Sequence, residues 1–281
     1  MTMIVEPDTN EPTEYISVSV KVPEEFGDLF THFYYAANHG QEPVHKKLVP
    51  MFRTIMVFNL GSQINGAFED ELPFDLPDSL IIGPLKKSLQ YTLHPGAEML
   101  VANFKWDAFY RFFGQSLQSF STFIAEPRAL TGDECFTPLW LKLKGTPALE
   151  DKVKHLLDFS LPYLRAREEA SARIIGLNVA TDTFNPVKKI AAESGYSERS
   201  VQLSYKKYLG FSDKEVTRYQ RFMKAVELLM SSTEIKTDWF EIAESCGYYD
   251  QSHMIHDFKH YLHLSPTQFL KLQENMCVSA W

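Results

Sequence analysis

The chain has little cysteine, no long apolar run and no surplus of positive charge. Its three cysteines among 281 residues, Cys135, Cys246 and Cys277, are scattered and odd in number. That argues against a disulfide framework and fits a reducing compartment. No stretch approaches the roughly 18 consecutive apolar residues that cross a bilayer. The acidic, proline-containing segment Met1 to Glu14 lacks the basic-then-apolar plan of a secretory signal. A cytoplasmic protein without a membrane partner is therefore expected. There is no glycine-rich phosphate loop, no Gly-x-Ser-x-Gly elbow and no Cys-x-x-Cys pair. No enzymatic activity, catalytic residue or cofactor is expected.

What is present is a repeat. Ile190-Ala191-Ala192-Glu193-Ser194-Gly195-Tyr196-Ser197 and Ile242-Ala243-Glu244-Ser245-Cys246-Gly247-Tyr248-Tyr249 lie 52 residues apart. Their tails match as well: Tyr205-Lys206-Lys207-Tyr208-Leu209-Gly210-Phe211-Ser212 against Phe258-Lys259-His260-Tyr261-Leu262-His263-Leu264-Ser265. Each copy predicts a short helix closed by a glycine in the left-handed conformation, a turn, and a second helix. Ser197 and Asp250 are suited to cap those second helices, whose inward stripes are Val201 with Tyr205 and Met254 with Phe258. The outer faces then carry Arg199, Ser200, Gln202, Leu203, Lys206 and Lys207 in one copy, and Gln251, Ser252, His253, His256 and Lys259 in the other. Most of these side chains are of the kind that reaches base edges and phosphates in a major groove, and Leu203 can meet a thymine methyl. His253, His256 and His260 also have a spacing that a metal ion could use, but the polar stripe of a reading helix is preferred and no metal is expected.

These motifs resemble the DNA-binding domain of AraC-type transcriptional regulators, over residues from about 166 to 273. In the resemblance two helix-turn-helix units are joined by one long helix, which Asp213 to Ser231 fits after a Ser212-x-x-Glu215 capping box. The second unit matches nearly end to end, through Asp250-Gln251-Ser252-His253, Phe258-Lys259 and Leu264-Ser265-Pro266. The first departs from the pattern at Leu203, where a basic residue is usual, and at Tyr205, where phenylalanine is usual. The resemblance implies base reading by Arg199 and Gln202, and by Gln251, Ser252, His253 and His256. Lys206, Lys207 and Lys259 are expected on phosphates.

The length suits two domains, 1–165 and 166–281. The net charge of −8 divides unevenly: residues 166–281 hold 14 basic and 15 acidic residues, leaving −7 on residues 1–165. A DNA-binding domain so balanced must gather its basic groups on one face. Before residue 105, period-two runs predict strands at 15–22, 54–61, 79–84, 90–93 and 97–105. Helices are expected at 26–35, 106–113, 117–123 and 149–164, the last bent near Pro162. Leu48-Val49-Pro50, Val57 to Gly61 and Ile82-Gly83-Pro84 resemble the β-rich sensor domain of some AraC-type regulators, with Met51-Phe52-Arg53 in place of the usual turn.

The expected fold is thus α+β, a β-rich N-terminal domain followed by an all-helical domain. The expected function is sequence-specific regulation of transcription on double-stranded DNA, controlled by the N-terminal domain through a small-molecule effector, a homodimer, or both. The alternative is a ligand-binding or protein-interaction module with a vestigial DNA domain.

Overall fold

Strands form where β-branched and aromatic residues recur, and they stack into a two-sheet sandwich. The structure, a computed structural model, describes residues 14–69, 71–117, 124–180, 186–231, 238–272 and 276–277. The strands are β1 (Tyr15–Lys21), β2 (Phe30–Asn38), β3 (Val44–Leu48), β4 (Ile55–Asn59), β5 (Ile64–Phe68), β6 (Phe74–Asp75), β7 (Ser79–Ile82), β8 (Leu89–Leu93), β9 (Glu98–Phe104), β10 (Ile124–Ala125) and β11 (Met276–Cys277). One sheet runs β1-β2-β9-β4-β7-β10 and the other β11-β3-β8-β5-β6. β9 is buried on both sides because its alternation feeds two cores. Met99 and Val101 face the space between the sheets, while Leu100, Ala102 and Phe104 face an outer layer of helices. That layer is α1 (Ala108–Phe113), α2 (Pro127–Thr131), α3 (Phe136–Gly145) and α4 (Leu149–Ser160), followed by a 3-10 turn at Leu161–Tyr163.

The helix expected over 26–35 is not formed. A 3-10 turn occupies Glu24–Phe26 and β2 begins at Phe30. Phe26, Leu29, Phe30 and Phe33 have helical spacing, yet β2 lies between β1 and β9 and hydrogen-bonds to both. A register shift between Phe30 and Phe33 puts both rings into the same core, so a bulged strand imitates a helical pattern. β3 and β5 were not anticipated either. Of the expected helix at 117–123, residues 118–123 lie outside the described residues.

The remaining elements are helical: α5 (Glu169–Ala180), α6 (Pro186–Ser194), α7 (Glu198–Leu209), α8 (Asp213–Ser231), α9 (Trp239–Ser245), α10 (Gln251–Leu262) and α11 (Pro266–Leu272). They enclose two cores. Ile174, Ile190, Val201, Tyr205 and Leu209 form one, and Phe222, Val226, Ala243, Met254, Phe258 and Phe269 form the other. No described helix is long and apolar enough to cross a membrane.

Candidate nucleic-acid interface

The two turns are built as the repeat requires. Gly195 (φ 73°) and Gly247 (φ 80°) hold the left-handed conformation that ends α6 and α9. Ser197 then caps α7, its side chain accepting from the Ser200 amide at 3.2 Å, and Asp250 caps α10, accepting from the His253 amide at 2.7 Å. The capping box of α8 is closed in both directions: Glu215 Oε2 accepts from the Ser212 amide at 2.8 Å, and Ser212 Oγ from the Glu215 amide at 3.3 Å. The copies differ by one residue. Tyr249 is added to the second turn and stands 92% exposed.

On α7, Arg199, Gln202, Leu203 and Lys206 are exposed and share one helical face, with Val201 and Tyr205 buried on the opposite side. Two of the expected contact residues do not join that face. Ser200 is half-buried and lines a small recess with Ile174 and Ile190. Lys207 turns back, its Nζ donating to Glu168 Oε2 at 3.1 Å and to the Tyr208 hydroxyl at 3.2 Å. The reason is local charge: Glu168 also accepts from the hydroxyls of Tyr208 (2.6 Å) and Tyr110 (2.7 Å). Those hydrogen bonds, Tyr208 first, then Tyr110 and Lys207, depress its carboxyl to about 2.

On α10, Gln251, Ser252, His256 and Lys259 are exposed and His253 is half-buried. Behind them lies an arrangement that spacing did not disclose. Asp257, on the inner side of α10, has no exposed side-chain surface, and it pairs with two arginines of α8: Arg218 Nε at 2.7 Å and Arg221 Nη2 at 3.5 Å. A buried carboxylate needs such partners. The same arginines reach two of the expected contact residues, Arg218 Nη2 to His256 Nδ1 and Arg221 Nη2 to His253 Nε2, each at 3.2 Å. The only advance sign was an aspartate among apolar neighbours, and arginines at i and i+3 beside the apolar stripe of α8.

Comparison with family models agrees with this geometry. Residues 190–272 match a family model described as a helix-turn-helix domain. The region around α6 to α11 is thus similar to a helix-turn-helix domain. Among solved structures, the chain is similar to ToxT from Vibrio cholerae, at 11% identity and a TM-score of 0.43, covering 87% of this chain and 98% of that one. A second ToxT structure, with an unsaturated fatty acid bound, matches at 11% identity and a TM-score of 0.41 over 94% of this chain and 97% of that one. No curated protein matches the chain significantly.

The β-sandwich grips this helix-turn-helix domain at several points. Phe52, in the loop between β3 and β4, is stacked between Phe211 (4.2 Å, 9°) and Tyr219 (4.0 Å, 6°). The Tyr219 hydroxyl donates to the Pro50 carbonyl at 2.9 Å, and Val49 is part of the second helical core. Lys86 pairs with Glu215 at 2.7 Å, and Lys47 Nζ donates to the Leu262 carbonyl at the end of α10 at 2.8 Å. Beyond α11, β11 pairs in parallel with β3 and so adds a strand to one sheet of the sandwich.

Two cavities flank the same loop. One, of about 100 Å³, lies inside the sandwich and is lined mostly by apolar side chains such as Ile55, Val57 and Met99, with His32, Tyr34, Asn65, Tyr91 and Asn103 as polar members. Burial, then the nearby Arg53, lowers His32 to about 4, so its ring is neutral at physiological pH. The other, of about 240 Å³, lies between sandwich and helices against Phe52, Arg53, Trp106 and Phe211. Met51 lines both.

Proposed function

We propose that the chain is a transcriptional regulator that reads two adjacent major-groove segments of double-stranded DNA, one with α7 and one with α10. The observation that carries this reading is the pair of capped helices, each presenting a polar outer face from a matched helix-turn-helix scaffold. The proposed base-reading set is Arg199, Gln202 and Leu203 on α7, with Gln251, Ser252, His253 and His256 on α10. Lys206 and Lys259 are proposed to meet phosphates, while Lys207 serves chiefly to tie α7 to Glu168. We divide the chain at 165/166, with the first part controlling the second. The grip of the 49–53 loop on both helical cores supports that control, and the cavity inside the sandwich is the proposed seat of a small, largely apolar effector.

Selection of bound sites from a random DNA library, followed by salt-dependent gel shifts, tests this. The parent should enrich a two-part site. Arg199→Ala should weaken binding to it by about 1–3 kcal/mol and relax preference at one position. A variant that binds every sequence as the parent does would remove Arg199 from the reading set. Control is tested separately: sedimentation should show dimers at micromolar concentration, or a metabolite pool should raise the melting temperature. Monomers with no ligand-induced shift would leave the sandwich without a controlling role. The reading as a vestigial DNA domain is not favoured, because both caps and both outer faces are intact.

A further inference from the structure

We propose that Arg218 and Arg221 are positioning residues of the DNA-reading surface: they set the tautomers of His256 and His253, so that the second unit offers ring N–H donors to the groove. The inference rests on α10 being a DNA-reading helix. A guanidinium only donates hydrogen bonds. A ring nitrogen 3.2 Å from its Nη2 must therefore accept, and carries no proton. On His256 the accepting atom is Nδ1, which leaves the proton on Nε2; on His253 it is Nε2, which leaves it on Nδ1.

The arginines are themselves held. Asp257 takes one nitrogen of each, and the guanidinium planes lie over aromatic faces, Arg221 over Tyr248 at 4.7 Å and Arg218 over Tyr261 at 5.6 Å. Arg218 spans from the buried carboxylate to His256 with two different nitrogens, Nε and Nη2, which a planar fork of donors permits and a lysine ammonium does not; Arg221 makes both of its contacts through Nη2. His256, with 73% of its side chain exposed, presents its Nε2 donor outward. His253 is half-buried with its ring edge-on to Tyr248 at 5.3 Å, and so is the more tightly oriented of the two. A donor in a major groove meets acceptors: guanine O6 and N7, adenine N7, or thymine O4. It rejects the amino groups of cytosine and adenine. The second half of the site should therefore favour steps that present acceptors to α10, most strongly guanine.

The test uses the full chain, with nitrogen-15-labelled histidine NMR and site selection on the parent, Arg218→Lys and Arg218→Met. Arg218→Lys keeps a cation beside Asp257 and keeps Arg221, so the fold should persist; Arg218→Met shows the effect of losing the charge as well. In the parent, His256 should be protonated on Nε2 alone. In Arg218→Lys that tautomer should become mixed. Preference at the bases facing α10 should fall roughly tenfold, with the first half-site and the salt dependence unchanged. A parent spectrum with the proton on Nδ1 would overturn the inference. So would Arg218→Lys with undiminished base preference, or Arg218→Met weakening all sequences alike with a shallower salt slope, which would make Arg218 a phosphate contact. A parent that enriches no site at all would bring down the DNA reading itself, a result distinct from a parent that selects a site whose preference ignores Arg218.

Discussion

At the end of α7 the left-handed cap is Gly210, with φ 78°; at the matching point of α10 it is His263, with φ 57°. An L-residue pays a steric cost in that region that glycine does not. His263 is exposed, so little packing would be lost with its ring. His263→Gly should therefore raise stability by about 1 kcal/mol, allowing for the greater freedom glycine adds to the unfolded chain. A chemical-denaturation midpoint no higher than the parent's would show that the imidazole contributes more than the strain costs. Leu203 stands 56% exposed between Gln202 and Lys206 on the outer face of α7, as the base-reading role proposed for it requires.

Among elements, the junction of α1, α5 and α7 depends on one carboxylate. Glu168 immediately precedes α5 and takes hydrogen bonds from Tyr110 on α1 and from Tyr208 and Lys207 on α7. Its carboxyl sits at about 2 against an ordinary 4.5. A depressed carboxylate contributes stability that is fully present above its unfolded value and is lost as pH falls through the folded one. The junction should therefore weaken between pH 4.5 and about 2. Urea midpoints measured down that range should fall more steeply for the parent than for Glu168→Gln, the two curves converging at the acid end. Parallel curves would mean that the hydrogen bonds seen at Glu168 add nothing to stability. Since Glu168 is well exposed, solvent screening keeps its contribution modest.

For the whole molecule, the decisive contact is Phe52. Its ring is stacked on both sides by residues of the helix-turn-helix domain, and each such aromatic pair contributes about 0.5–1.5 kcal/mol beyond its buried area. Phe52→Ala should loosen the grip of the sandwich on the helices by roughly 1–3 kcal/mol. Calorimetry should then show one cooperative transition resolving into two. A single transition at the parent's temperature would mean that the Lys86–Glu215 pair, the Lys47–Leu262 bond and β11 hold the domains together without it. Met51 lines both cavities and its neighbour Phe52 lines the larger, so the stack and the cavities share a wall.

The helical half of this protein was legible from local order. Glycine at the turns, Ser197, Asp250 and the Ser212–Glu215 box are short-range devices, and the inward residues Val201, Tyr205, Met254, Phe258, Phe222 and Val226 declare themselves by spacing alone. The strands that pair at long range were only partly legible. β2 was hidden because a bulge at Phe30–Phe33 restores helical spacing to a strand held on both edges by partners far along the chain. Tertiary structure alone decided which polar residues on α7 and α10 face outward. Lys207 is turned aside by a carboxylate 39 positions away, and His253 and His256 are aimed by arginines of another helix that a buried aspartate holds in place. Spacing assigns a side chain to a face of its own helix. Where its hydrogen bonds go is set by charges that only folding brings within reach.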